Sequence, residues 1–470
     1  MISYRVAVRV AFTAVVVCCI VVLGSAALTA GSASEGAHVS AAGQQVAPPS
    51  DGVTVVATDS NTWLGRSSDG PRATAQLFAV GPDGTVFYYN DTHTRYWDVD
   101  PVEGTNATVE YVYADHLSPE ECGGEVVCTR NGVERVNLTT GEVTPVFRRV
   151  TEGKHSTRWH DVDRLDDEHL VVADIAADRV FVVNTTSGLV TWSWNAQSAY
   201  PVADSGGPYP EDWTHLNDVE VLDDGRLMVS LRNHDQVVFL DRETGVVEEW
   251  TLGSDDDHTT LYEQHNPDYI DASHGGPAAV VADSENNRVV EYQRVDGTWE
   301  RSWVWRDARL QWPRDADRLP NGHTLVTDSN GNRVLEVNEQ GEVVWTLDVA
   351  FPYEAERLET GDESTGGPSA RQADLAGHDA SGSGDGAQTD DGTQADDDGP
   401  LDPLRSAVAG AMQGPTVNAV MYVMPVWMTR VDLAALLVLV GTVVVWAGTE
   451  AYWSPWQATV RRPLDLERES

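Results

Sequence analysis

The sequence predicts an all-β fold, a six-bladed β-propeller, with N- and C-terminal transmembrane helices. Three observations carry this: strands of four to seven residues punctuated by turns, a unit recurring at about fifty-residue spacing, and one long apolar run near each end.

The recurring unit is a polar entry ending in Asp, an apolar strand, an Asp/Gly/Asn turn, a second strand, then a short turn and a third. Its clearest copies begin at Arg158, His215, His265 and Trp312, and align on Asp161, Asp218, Asp268 and Asp315. Separations of 57, 50 and 47 residues suit four-stranded blades and are too long for hairpins. Two further units, around Ala75–Tyr89 and Val109–Phe147, bring the count to six. Val53–Thr58 is then expected to close the ring with the last blade. A sandwich or open solenoid fits less well, because terminal capping signals are absent.

Val10–Leu28 is uncharged and follows Arg5 and Arg9, so residues 1–30 read as a signal anchor or a signal peptide. Residues 431–449 read as a transmembrane helix, with Trp446, Tyr452, Trp453 and Trp456 as interfacial aromatics and residues 450–470 as a cytoplasmic tail. Arg5/Arg9 and Arg461/Arg462 place both ends in the cytoplasm, with the propeller, residues 50–357, on the extracellular side of the cell membrane. Residues 358–414, rich in Gly, Asp, Ser and Ala, read as a disordered acidic linker, and the apolar stretch 415–430 as an interfacial segment.

The formal charge of -43, from 74 acidic against 31 basic residues, excludes a nucleic-acid binder. Acid spread over the whole domain points to a halophilic surface that stays hydrated in concentrated salt, where screening shortens to roughly 3 Å at 1 M. Cys122 and Cys128 bracket a short loop and are expected to form a disulfide outside the cell, while Cys18 and Cys19 lie in the first apolar run. Asn90, Asn106, Asn137 and Asn184 open glycosylation sequons, which agree with that compartment.

Aligning the units on their aspartates brings Arg158, His215, His265 and Trp312 to one position, and His160, Asn217, Pro267 and Arg314 to another two residues on. Side chains two apart on a strand point the same way, so these converge on one mouth of the channel. Arg232 lies where the other units have Ile175, Glu285 or Asn330. Three imidazoles, of His160, His215 and His265, beside the one arginine Arg232 suit an oxyanion better than a metal, and no metal or other cofactor is expected.

At these residues the chain resembles the arylsulfate sulfotransferase family, in RWHDVDRL, in DWTHLND followed by SLRNHDQ, and in YEQHNPDYI. The resemblance implies a six-bladed propeller that transfers a sulfuryl group from an aryl sulfate donor to a phenolic acceptor without a nucleotide. His265 would be the transiently sulfated nucleophile. His215 and Arg232 would hold the sulfuryl oxygens, and His160 would aid proton transfer. Arg314, Asn217 and Arg158 are the expected substrate-binding residues. The absence of a GxxxxGK loop agrees with a nucleotide-independent reaction. The competing reading is a non-catalytic membrane-anchored propeller for ligand binding or adhesion. The oligomeric state is left open.

Overall fold

The computed structural model describes residues 4–36, 39–59, 73–123, 128–152, 158–379, 407–408, 410–454, 456–459 and 465–468. It forms two compact units: residues 36–397 with 413–426 hold the propeller, and residues 1–35, 398–412 and 427–470 hold the two long helices.

The propeller has six antiparallel blades of four main strands. Each blade has one strand on the central axis. In order these are Pro352–Arg357, Arg95–Pro101, Trp159–Asp166, Leu216–Val221, His265–Ile270 and Pro313–Arg318. Each touches the next around a closed ring. The second strands, such as His169–Asp174 and Ala278–Asp283, are buried on both faces because blades stack face to face. They therefore read as continuous apolar runs rather than alternating ones.

The hydrophobic core lies between blades. One cluster joins Trp97 and Val112 to Trp159, Val172 and Phe181, and another joins Met228 and Phe239 to Val281 and Val290. Each large side chain buried there contributes about 1.5–3 kcal/mol.

Ring closure differs from the sequence expectation. The last blade, Pro313–Asp348, is complete with its own four strands. Thr54–Thr58 instead pairs with Pro352–Arg357, Val56 opposite Ala355, so the first blade takes its axial strand from the far end of the domain. Backbone hydrogen bonds thus hold both ends of the propeller in one sheet.

The expected linker also begins later than its composition implies. Residues 358–379 fold onto the propeller: Ala370 donates to Glu291, and His378–Asp379 adds a short parallel strand to the fifth blade. The Glu363 amide donates to Glu356 and the Ser364 hydroxyl to Asp268, so polar bonds to channel carboxylates stand in for the apolar side chains this stretch lacks. Residues 380–406 lie outside the described residues.

In the second unit Tyr4–Leu28 and Arg430–Trp453 are each long and apolar enough to cross a membrane. They pack antiparallel: Phe12 stacks on Trp446 at 5.8 Å, Tyr4 meets Trp453 at 6.3 Å, and Arg9 pairs with Glu450 at 2.6 Å. Thr429 and Asp432 form a capping box at the start of the second helix, satisfying its first amide groups.

Candidate active site

Strand pairing fixes which residues are equivalent. Asp174, Leu231, Asp283 and Asp328 each pair with the first residue of the third strand, namely Arg179, Gln236, Arg288 and Arg333. Three residues earlier, Val171, Met228, Val280 and Leu325 lie opposite Asp163, Glu220, Asp268 and Asp317. Asp268 is therefore equivalent to Asp163, not to Asp161. The alignment read from the sequence is two residues out in the fifth blade.

The corrected register puts His265 level with His160, Asn217 and Arg314, and also with Trp97 and Tyr353. Glu263, not His265, joins Arg95, Arg158, His215, Trp312 and Phe351 at the mouth. His215, Glu263, Trp312 and Phe351 share a left-handed backbone, with φ of 47°, 45°, 56° and 50°, which marks them as equivalent independently. The fifth blade's longer first hairpin, with Ala272–His274 and Gly275, concealed this in the sequence.

Pairing shifts at or beside the second level in every axial strand, between Trp159 and Asp161 and between Leu216 and Asp218, for example. An extra residue in a strand bends it and re-aims its side chain. Six bulges thus turn one side chain per blade into the channel. Below them stand Asp98, Asp161, Asp218, Asn266, Asp315 and Glu354, and below those Asp100, Asp163, Glu220, Asp268, Asp317 and Glu356.

The second-level residues converge. His160 stacks on Trp97 at 4.1 Å, and its Nδ1 lies 2.8 Å from the Tyr353 hydroxyl. Ring centroids of His160 and His215 are 5.5 Å apart, those of His215 and His265 are 6.4 Å apart, and Tyr353 lies 6.4 Å from His265. Arg314 lies over Trp312 at 4.4 Å and Tyr353 at 4.8 Å.

Each imidazole is oriented by a different partner. Ser284 Oγ donates to the Pro313 carbonyl at 2.7 Å, so it accepts the Nδ1 proton of His265 at 2.8 Å. Nε2 of His265 is then the basic nitrogen, buried and without a protein partner. His215 Nδ1 lies 2.8 Å from Asp212. Burial pushes the Asp212 carboxyl up, but His215, Arg232 and Arg158 outweigh it and hold it well below its usual range. Burial, then Arg314, Arg232 and His215, drives His265 well below the ordinary imidazole range. His160 is driven down by burial and then by Arg158, and His215 by burial despite Asp212. All three histidines are thus neutral at neutral pH.

Arg232 is tied to Glu263 and to Asn233 at 2.8 Å. Arg314 is buried and Arg158 half-buried, and neither makes an ion pair among the described residues. Asn217 donates its amide to the Gln264 carbonyl at 3.0 Å, leaving Oδ1 as an acceptor. Sequence reasoning missed Tyr353, Trp97 and Ser284. Ser284 holds the position of Arg232, one residue before the Glu285 aligned with it, so the one-residue slip hid it.

Pro415–Val423 forms a helix over the mouth. Tyr422 meets Trp312 at 5.1 Å and Phe351 at 5.2 Å, Asn418 donates to Glu285 at 2.9 Å, and Asn330 donates to the Asn418 carbonyl at 3.2 Å. This stretch was expected to lie at a membrane interface. Elsewhere, Cys122 and Cys128 are joined in a disulfide. Asn106 is exposed, while Asn90, Asn137 and Asn184 are half-buried at strand ends and turns.

Residues 133–350 match the family described as arylsulfotransferase (ASST). No curated protein matches the chain. Similar solved structures include a protein of unknown function from Bacteroides caccae, 11% identical, with a TM-score of 0.42 over 66% of this chain and 100% of that one. The periplasmic gluconolactonase of Pseudomonas aeruginosa is 14% identical, with a TM-score of 0.41 over 66% of this chain and 99% of that one. Neither likeness carries an argument about function.

Proposed function

From the match of residues 133–350 to the arylsulfotransferase family, we propose that this chain transfers a sulfuryl group from an aryl sulfate to a phenol through a sulfohistidine at His265. One observation carries the reading: Nδ1 of His265 is occupied by Ser284, while Nε2 is unpartnered in a pocket that holds two arginines without carboxylate partners.

Neutral His265 attacks sulfur through Nε2, and the bond from sulfur to the aryl oxygen breaks. The bound sulfate anion favours a protonated His215, which gives its proton to the leaving phenolate. An acceptor phenol then returns a proton to His215 as its oxygen displaces Nε2 from sulfur. Atoms and charge balance over the two halves. Arg158 and Arg314 hold the sulfuryl oxygens, His160 donates to them or to the aryl oxygen, and Asn217 lines the substrate site beside them. Arg232, bound to Glu263, shapes the mouth beside His215.

The site faces outside the cell in this reading, with both termini cytoplasmic. The sequons would be glycosylated and the acidic surface would keep the domain folded in strong salt.

The test uses the full-length chain in detergent and molar salt with a fluorogenic aryl sulfate. Phenol release that an added phenolic acceptor accelerates, lost in His265→Ala, supports sulfuryl transfer. Folded protein that binds aryl sulfates without releasing phenol would favour the ligand-binding propeller.

A further inference from the structure

Below the histidines, eleven carboxylates and one asparagine fill two levels of the channel, which contain no lysine or arginine. The geometry points to a hard divalent cation of the calcium class, held in the channel by Asp268, Asp315 and Asp317. These three side chains offer oxygens that all lie within 4.8 Å of one another, and all three residues are buried.

Their other contacts leave room for that role. Asp268 accepts from the Ser364 hydroxyl at 2.5 Å, and Asp315 Oδ2 accepts from Thr327 and from the Ala355 amide, both at 3.2 Å. Asp317 Oδ2 meets no donor. Arg318, the cation beside Asp268, is engaged by Glu291 at 3.3 Å.

A second observation comes from a residue that is not acidic. Asn266, the one uncharged member of its level, reaches two blades across the channel and donates its amide to Glu354 at 3.0 Å. Its Oδ1 is buried, 6% exposed as a residue, and meets no donor. Carboxylate and amide oxygens, with no sulfur or imidazole among them, are the ligand set of calcium or magnesium rather than zinc.

The competing occupant is a proton shared by Asp315 and Asp317. One proton leaves the oxygens of Asp317 and Asn266 without a donor, whereas a cation in the channel offers such oxygens a partner. Burial raises these carboxyls, Asp315 to about 6, and a cation would reverse that shift.

The experiment strips the full-length chain with a chelator, desalts it and titrates it with calcium at fixed ionic strength, reading thermal midpoint and metal retained per chain. We expect a saturable rise in midpoint, retained calcium, and about tenfold weaker binding in Asp317→Asn. No retained calcium or magnesium, with a midpoint that follows ionic strength alone, would overturn the site. Should Asp317→Asn not fold, terbium luminescence on the wild-type chain decides: displacement by calcium supports the site, and the absence of a displaceable signal overturns it.

Discussion

Single side chains set the chemistry here through what they are bonded to. Arg314→Ala should slow sulfuryl transfer by on the order of 3 kcal/mol, roughly a hundredfold, because it removes a preorganised donor from charge that grows in the transition state. Arg232→Ala should cost less, since Glu263 already engages that guanidinium; kcat for the two variants side by side tests the ranking. Ser284→Ala removes the group that fixes the His265 tautomer and should lower kcat about tenfold while leaving KM close to wild type. Because His265 is depressed, its nucleophilic form persists as pH falls past the ordinary histidine value near 6.5. The acid limb of kcat against pH should therefore lie below 6.5, approximately, and a limb at that value would count against a buried nucleophile. Stability has the matching sign: the unfolded chain binds protons that buried His265 refuses, so stability is complete above the unfolded value and declines as pH falls below it.

Secondary elements decide access and aim. Bulges in the axial strands bring one side chain per blade to one level, something regular alternation alone does not achieve. The helix Pro415–Val423 lies across the mouth, with Asn418 bonded to Glu285 and Asn330 and Tyr422 packed on Trp312 and Phe351. Asn418→Ala with Tyr422→Ala should loosen it and lower KM for bulky aryl sulfates several-fold with little change for small ones. Steady-state kinetics with a short and a long donor measures this, and unchanged KM for both would show that substrate enters by another route.

At the scale of the domain, the propeller is a closed ring around an acidic axis, which gives its stability an unusual pH dependence. Burial raises Asp98 to about 7 and Asp163 and Asp315 to about 6, so the folded chain binds protons that the unfolded chain has already lost. Stability from these groups is complete below the unfolded carboxylate values near 4 and declines as pH rises through 6 to 7, approximately. Chelator-treated protein should therefore unfold at a lower temperature at pH 8 than at pH 6, and calcium should flatten that slope. Calorimetry with and without calcium separates the two.

The sequence by itself determined the class of fold, six repeats, two apolar helices and three histidines near one mouth, because these depend on periodicities and local composition that survive without neighbours. It also determined that Arg314 and Asn217 share a level with His160. Only tertiary structure decided that His265 belongs to that same level, because a longer hairpin in its blade shifts the apparent alignment by two residues. Ser284 and Tyr353 became legible only there as well: one is a short serine in a turn, and the other lies in a strand that joins the first blade from the far end of the domain. Carboxylates spaced about fifty residues apart mark the repeat in the sequence, and ring closure alone makes them a single buried column.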